Sequence, residues 1–329
     1  MVWIYFIAVA AVIVFAGSKL AVLAEKLASL LNISSSAIGL LLVSIITSLP
    51  ELATSLGSVV TVGQPNLALG NTLGSDLFNL MIIALCDILF RKGGLLRQSH
   101  LRITTLVHYL MMITILLLTL TLPNSISLGG AHFNAGSLLI MGLYLFVFFH
   151  THHNSQAAPL EEEPDVDRSE LKKIILQFTA AALVIVGAGI ILAQLGDRIA
   201  IETGLGQSFV GALFLAIATS LPELTVSIAA LRIGAVDLML GNIFGSNMFN
   251  VFIAAISDMA YSREALHIPA NLSYSQLMTG GCAVIITLMI AGAMRQKKKS
   301  KWGFGWESII IISIYLINLG VLYFGILQG

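Results

Sequence analysis

The chain has 329 residues, 57% of them hydrophobic and only 10% charged, with 17 basic and 17 acidic side chains in balance. A soluble domain runs nearer a quarter charged and a nucleic-acid binder shows a basic surplus, so the composition excludes both and calls for a membrane as solvent. Cys86 and Cys282 both sit inside apolar runs and offer no disulfide framework.

The N-terminal run MVWIYFIAVAAVIVFAGSKL has no basic region ahead of its apolar stretch, so it reads as a first span rather than a cleaved leader. Nine further apolar segments follow, near 36–62, 66–90, 103–122, 134–150, 171–195, 206–231, 236–260, 274–294 and 307–327. Each approaches the ~20 residues a helix needs to cross a ~30 Å hydrocarbon layer. The expected fold is an all-α integral membrane protein of ten transmembrane helices. The polar, acidic stretch from His150 to Lys173 divides it into a five-helix unit (1–150), a linker (151–170) and a second five-helix unit (171–329). His150, His152 and His153 read as a loop tail, and Glu161, Glu162, Glu163, Asp165 and Asp167 show no EF-hand pattern.

The two units are repeats. TSLPE occurs at Thr47–Glu51 and again at Thr219–Glu223, 172 residues on; GNTLGSDLFN at Gly70–Asn79 matches GNIFGSNMFN at Gly241–Asn250, 171 residues on. The repeated motifs occupy 39–80 and 211–251. Five spans per unit put the second unit into the membrane upside down. Charge tests this separately, because basic residues gather on cytoplasmic loops. Loops after odd-numbered spans hold 14 of the 17 basic residues, and loops after even-numbered spans hold Arg198 and Arg263. Both termini are therefore expected outside and the linker inside, with the halves forming two inverted five-helix repeats around a midplane site.

Glu51 and Glu223 fall mid-span, where an acid costs roughly 2.5–3.5 kcal/mol to insert. Each follows a proline. Pro50 and Pro222 lack an N–H, so the carbonyls of Ile46 and Ala218 lose their helical donor and the turn opens. Thr47, Ser48 and Glu51 cluster on one loosened turn, and Thr219, Ser220 and Glu223 on the other. The opposing wall comes from two helical stripes with a polar residue at every fourth position, Asn71, Ser75 and Asn79, and Asn242, Ser246 and Asn250. Gly70 with Gly74, and Gly241 with Gly245, permit close helix approach. Every donor is an oxygen or an amide, which selects hard cations. Ca²⁺ takes 6–8 oxygens, whereas Mg²⁺ demands tighter octahedral geometry. Two negative charges in low dielectric are costly. One Ca²⁺, two Na⁺ or two protons neutralise them, and exchange follows if only the neutralised protein reorients.

On these residues the chain resembles the calcium/cation antiporter superfamily, specifically the prokaryotic sodium/calcium exchangers, over both halves. The resemblance implies that spans two, three, seven and eight surround the site while spans one and six slide as gates. It implies Glu51 and Glu223 as the central Ca²⁺/Na⁺ ligands, with Thr47, Ser48, Thr219, Ser220, Ser75 and Ser246 lining the sodium positions. Backbone ligands are implied near Ser44 and Ala216. Two departures stand out: some members carry an aspartate at the position of Asn79 or Asn250, and Asp76 replaces the amide found at its repeat counterpart, Asn247. Asp76 faces away from Ser75 and reads as a helix-bridging acid, with an ion-path role as the alternative.

The resulting expectation is a monomeric, multi-pass antiporter of the cytoplasmic (inner) membrane, not an enzyme. It needs no cofactor or nucleic acid, contacts membrane lipid, and exchanges Ca²⁺ for Na⁺ in the direction of Ca²⁺ extrusion. H⁺-coupled or K⁺-dependent exchange is the nearest alternative, and a passive cation channel the rival from another class.

Overall fold

The computed structural model describes residues 1–30, 38–90, 94–122, 125–128, 131–154, 168–261, 265–266, 272–296 and 303–326. In chain order it holds α1 (Val2–Leu30), α2 (Ile38–Thr47), α3 (Leu49–Leu56) running into a π-helical turn (Gly57–Val62), α4 (Pro65–Phe90), a 3₁₀ turn (Leu95–Gln98) and α5 (Ile103–Thr121). Strands β1 (Ser125–Leu128) and β2 (Ala131–Asn134) precede α6 (Ala135–Asn154). Then come α7 (Arg168–Thr203), α8 (Gln207–Val210) passing through a π-helical stretch (Gly211–Leu215) into α9 (Ala216–Arg232), α10 (Val236–Tyr261), α11 (Ser275–Met294) and α12 (Trp306–Ile326). Helices dominate because a backbone in hydrocarbon has to satisfy its own N–H and C=O groups.

Among the described residues, eight helical stretches are long and apolar enough to cross a membrane. They coincide with the expected first, third, fourth and sixth to tenth spans. The expected second and fifth are shorter apolar pieces, Leu49–Val62 and Ala135–His150. The second is cut at Ser48, just ahead of Pro50. The all-α expectation also needs correcting, since β1 and β2 pair antiparallel from Ser125↔Asn134 to Leu128↔Ala131. The acidic cluster Glu161–Asp167 lies outside the described residues.

Helices α4 and α10 pack against each other and are the most deeply buried. Helices α1 and α7 run along one another, with Ile4, Phe15, Leu176 and Leu183 exposed. Helix α4 meets the π-helical stretch 211–215 backbone to backbone. A Cβ on Gly70 would stand 2.8 Å from the Ser208 carbonyl oxygen, and one on Gly74 would overlap the Ala212 backbone.

Two buried aspartates pin this arrangement. At the end of α4, Asp87 accepts from Leu95 N through Oδ1 (2.6 Å) and from Gly305 N and Ser308 Oγ through Oδ2 (both 2.6 Å). At the end of α10, Asp258 accepts from Leu266 N (2.8 Å) and Asn134 Nδ2 (3.1 Å) through Oδ1, and from Asn134 N (2.7 Å) and Ser137 Oγ (2.6 Å) through Oδ2. Each carboxylate thus caps the first turn of a helix from the opposite half, α12 for Asp87 and α6 for Asp258. A negative charge is favoured there by the unsatisfied N–H groups and the helix dipole. Both acids are structural caps.

Candidate functional site

The two proline turns are built differently. Ser48 is non-helical (φ −89°, ψ 12°) and separates α2 from α3, with Pro50 in the first turn of α3. Pro222 instead stays within the continuous helix α9. Both turns face α4 and α10, and Glu51 and Glu223 are fully buried between them.

The carboxylates are held reciprocally. Ser220 Oγ donates to Glu51 Oε1 at 2.8 Å, and Ser48 Oγ donates to Glu223 Oε1 at 3.0 Å. The neighbouring stripes add a second hydroxyl to each: Ser75 Oγ to Glu51 Oε1 (3.4 Å) and Ser246 Oγ to Glu223 Oε1 (3.3 Å). In both residues Oε2 is buried and has no hydrogen-bond partner among the described residues. Each acid therefore has one oxygen clamped across the repeat boundary and the other uncommitted. Neither has a basic partner among the described residues; the ion pair Arg97–Glu307 (2.7 Å) joins the 3₁₀ turn to the start of α12. Two carboxylates without a counter-charge in a dry interior are unfavourable, and a cation resolves that.

The remaining candidates arrange around this pair. Thr47 Oγ1 donates to the Ser44 carbonyl (3.2 Å) and lies 3.4 Å from Ser246 Oγ. The Ser44 carbonyl also accepts from Ser48 N (3.1 Å) and Ser246 Oγ (3.5 Å), so it is a heavily shared acceptor beside the site. Thr219 Oγ1 lies 3.0 Å from the Leu215 carbonyl oxygen and 3.4 Å from that of Ala216. Asn79 and Asn250 lie one helical turn beyond Ser75 and Ser246 and touch neither glutamate by hydrogen bond. Asn79 Nδ2 donates to Asn247 Oδ1 (3.0 Å) and Asn250 Nδ2 to Asp76 Oδ1 (3.1 Å), while the Oδ1 atoms of Asn79 and Asn250 are buried without a partner among the described residues.

The next tier is asymmetric. Asn71 accepts from Thr219 Oγ1 (3.3 Å) and donates to Ser55 Oγ (3.0 Å) and the Glu51 carbonyl (3.4 Å). Its counterpart Asn242 is buried with neither Nδ2 nor Oδ1 hydrogen-bonded among the described residues, and Ser227, the counterpart of Ser55, has an Oγ without a partner among them. The flanking helices show the same asymmetry. Gly17 of α1 abuts Pro222, whereas Gly189 of α7, 172 residues on, abuts Ala53, three residues past Pro50. At 1.5 Å per residue that is a difference in register of about 4.5 Å.

Sequence reasoning overlooked Ser55, Ser227 and Tyr109. Ser55 and Ser227 share the 172-residue offset of TSLPE and were legible by it. Tyr109, on α5, has no repeat signal.

The family described as sodium/calcium exchanger protein matches residues 1–151 and 173–324. The putative antiporter CaxA of Alkalimonas amylolytica is 30% identical over 234 residues, covering 69% of this chain and 70% of that protein. The sodium/calcium exchanger MaX1 of Methanosarcina acetivorans is 24% identical over 342 residues, covering 92% of each. The crystal structure of the H⁺/Ca²⁺ exchanger CAX shares the fold, with a TM-score of 0.71 at 15% identity over 99% of this chain and 87% of that one.

Proposed function

The chain belongs to the sodium/calcium exchanger protein family, and on that premise we propose that it exchanges Ca²⁺ for Na⁺ across the cytoplasmic membrane by alternating access, in the direction of Ca²⁺ extrusion. The single observation that carries the reading is the reciprocal clamp: each glutamate is held by a serine of the other half and keeps one buried oxygen uncommitted.

In this reading Glu51 and Glu223 supply the charge, and Thr47, Ser48, Ser75, Thr219, Ser220 and Ser246 supply hydroxyls. The amide oxygens of Asn79 and Asn250 and the carbonyls of Ser44 and Ala216 complete an all-oxygen cage suited to Ca²⁺ or Na⁺. Pro50 accompanies the break at Ser48, and Pro222, inside the continuous α9, leaves the Ala218 carbonyl without its helical N–H donor. Asn71 and Asn242 stand at the two approaches. One Ca²⁺ or two Na⁺ cancel the paired charge, so the loaded protein reorients and the bare one does not, which makes transport obligatory exchange.

The proposed topology is ten spans in two inverted repeats (1–150 and 171–329), termini outside and the linker 151–170 in the cytoplasm, the arrangement favoured by the basic-residue bias. Asn71 then lies in the outer half of the membrane and Asn242 in the inner half. The hydrogen-bonded Asn71 and the Asn242 side chain without a partner among the described residues support a conformation that differs between the two sides, with both approaches buried. Proton coupling is the second reading, favoured by the same two carboxylates, since two protons also neutralise them.

Uptake of ⁴⁵Ca²⁺ into proteoliposomes under imposed Na⁺, H⁺ and K⁺ gradients, one at a time, tests this. Uptake driven by internal Na⁺ alone is expected. Uptake driven only by the H⁺ gradient would replace Na⁺ by H⁺, and uptake that needs no counter-cation would mean a channel.

A further inference from the structure

Asp76 is fully buried, yet nothing in the exchange chemistry above uses it. Both carboxyl oxygens already accept hydrogen bonds, Oδ1 from Asn250 Nδ2 (3.1 Å) and Oδ2 from Tyr109 Oη (3.0 Å). Its backbone carbonyl accepts from Asn247 Nδ2 (3.2 Å). Asp76 therefore presents only acceptors to α5 and α10 and turns none of them toward the glutamate pair.

An acceptor-only centre gives a hydrogen-bond network a direction. An asparagine side chain has an NH₂ face and an oxygen face, and which way it points is set by its neighbours. Asn250 has to spend its NH₂ on the Asp76 carboxylate. That leaves its Oδ1 pointing elsewhere, buried and without a partner among the described residues. The same logic runs through the backbone carbonyl. Asn247 spends its NH₂ on Asp76 O, so its Oδ1 takes the NH₂ of Asn79 (3.0 Å), and Asn79 Oδ1 is left buried without a partner among the described residues. These two uncommitted oxygens belong to the residues one turn beyond Ser75 and Ser246, whose hydroxyls touch Glu51 and Glu223.

We propose that Asp76 is a positioning residue: it never touches the cation, and it orients the Asn250 amide, and through its main chain the Asn79 amide, so that oxygens rather than NH₂ groups face the transported ion. The inference rests on the exchanger reading and adds to it the reason why two amides serve as cation ligands. An inverted amide would aim two N–H dipoles at a cation, so the cost of losing the orientation falls on ion affinity and much less on the transport cycle itself.

The test is equilibrium ⁴⁵Ca²⁺ and ²²Na⁺ binding to the purified protein, with half-saturation and maximal rate of exchange measured on the same variants. Asp76→Asn keeps an acceptor oxygen for Asn250 and is expected to hold Ca²⁺ half-saturation within about twofold of wild type. Asp76→Leu removes the acceptor and is expected to raise it ~10-fold or more with the maximal rate little changed. In an Asn250→Leu background, where the amide held by the Asp76 carboxylate is gone and the main-chain route to Asn79 is kept, adding Asp76→Leu is expected to change affinity no further, the non-additivity of a coupled pair. Loss of Ca²⁺ binding in Asp76→Asn equal to that in Glu51→Gln would overturn the inference and make Asp76 an ion-binding acid. Unchanged affinity in Asp76→Leu would overturn it too. If Asp76→Leu does not fold, Asp76→Asn alone decides. A wild type that binds neither cation would defeat the exchanger reading and this inference together, whereas a binding wild type with a disabled Asp76→Asn defeats only the latter.

Discussion

Asn71 and Asn242 hold the same place in the repeated motif, yet Asn71 is hydrogen-bonded to Thr219, Ser55 and the Glu51 carbonyl while Asn242 is bonded to nothing among the described residues. The atoms that would complete the mirror network, Ser227 Oγ and both polar atoms of the Asn242 side chain, have no partner among the described residues. Paired with the three-residue difference between the Gly17 and Gly189 contacts, this is the pattern expected of a two-repeat protein caught on one side of its cycle. In the opposite state we expect Asn242 to take Thr47 and Ser227 as partners and Asn71 to lose its own.

That exchange of partners is measurable by accessibility. In a background with Cys86 and Cys282 replaced by alanine, Ser55→Cys and Ser227→Cys, both buried here, are expected to react with a membrane-impermeant thiol reagent only when a cation gradient opens their own side, Ser55→Cys from outside and Ser227→Cys from the cytoplasmic face. Equal labelling of both from one face would contradict a one-sided state.

The serine clamps should matter equally. A hydrogen bond to a charged group contributes about 1.5–3 kcal/mol, and 1.4 kcal/mol is tenfold in an equilibrium constant. Ser48→Ala and Ser220→Ala are each expected to shift Ca²⁺ half-saturation by roughly tenfold or more and by similar amounts, since their distances to the opposite glutamates are 3.0 and 2.8 Å. A large effect from one and none from the other, read by isotope-exchange kinetics, would show that the site uses only one half.

Glu51→Gln and Glu223→Gln retain side-chain shape and remove one charge each. Exchange is expected to fall below detection in either variant while the size-exclusion profile stays that of wild type. Retained Ca²⁺ flux in either would count against the paired-charge mechanism.

Asp87 and Asp258 make the opposite prediction. Asp87→Ala leaves the buried Gly305 N–H and Ser308 hydroxyl without their acceptor, and Asp258→Ala does the same to Asn134 and Ser137. Unsatisfied buried donors cost about 1–3 kcal/mol each. Both variants are expected to lower thermal stability clearly, with the Ca²⁺ affinity of the surviving folded protein unchanged. A stable Asp87→Ala protein with altered affinity would move that residue from the scaffold to the ion path.

Much of this was readable before any coordinates. The apolar runs located nearly every long helix because the bilayer leaves a spanning chain few alternatives, and the duplicated TSLPE located both glutamates because two acids at matching apolar positions need a common purpose. The sequence reading opened both proline turns alike, since sequence does not say how far a proline disrupts a turn: Pro50 coincides with a break at Ser48, whereas Pro222 is absorbed in α9. Tyr109 was invisible because its partner, Asp76, lies 33 residues away on another helix. The Ser125–Leu128 strand was missed because four alternating residues are too few to outweigh the long apolar segments around them.

The measurement closest to the central claim is a structure of the protein with Ca²⁺, or Sr²⁺ for its anomalous signal. We expect one ion between Glu51 Oε2 and Glu223 Oε2, with hydroxyls of Ser48 and Ser220 still on the opposite glutamates. An ion bound elsewhere, with those two oxygens turned apart, would contradict it.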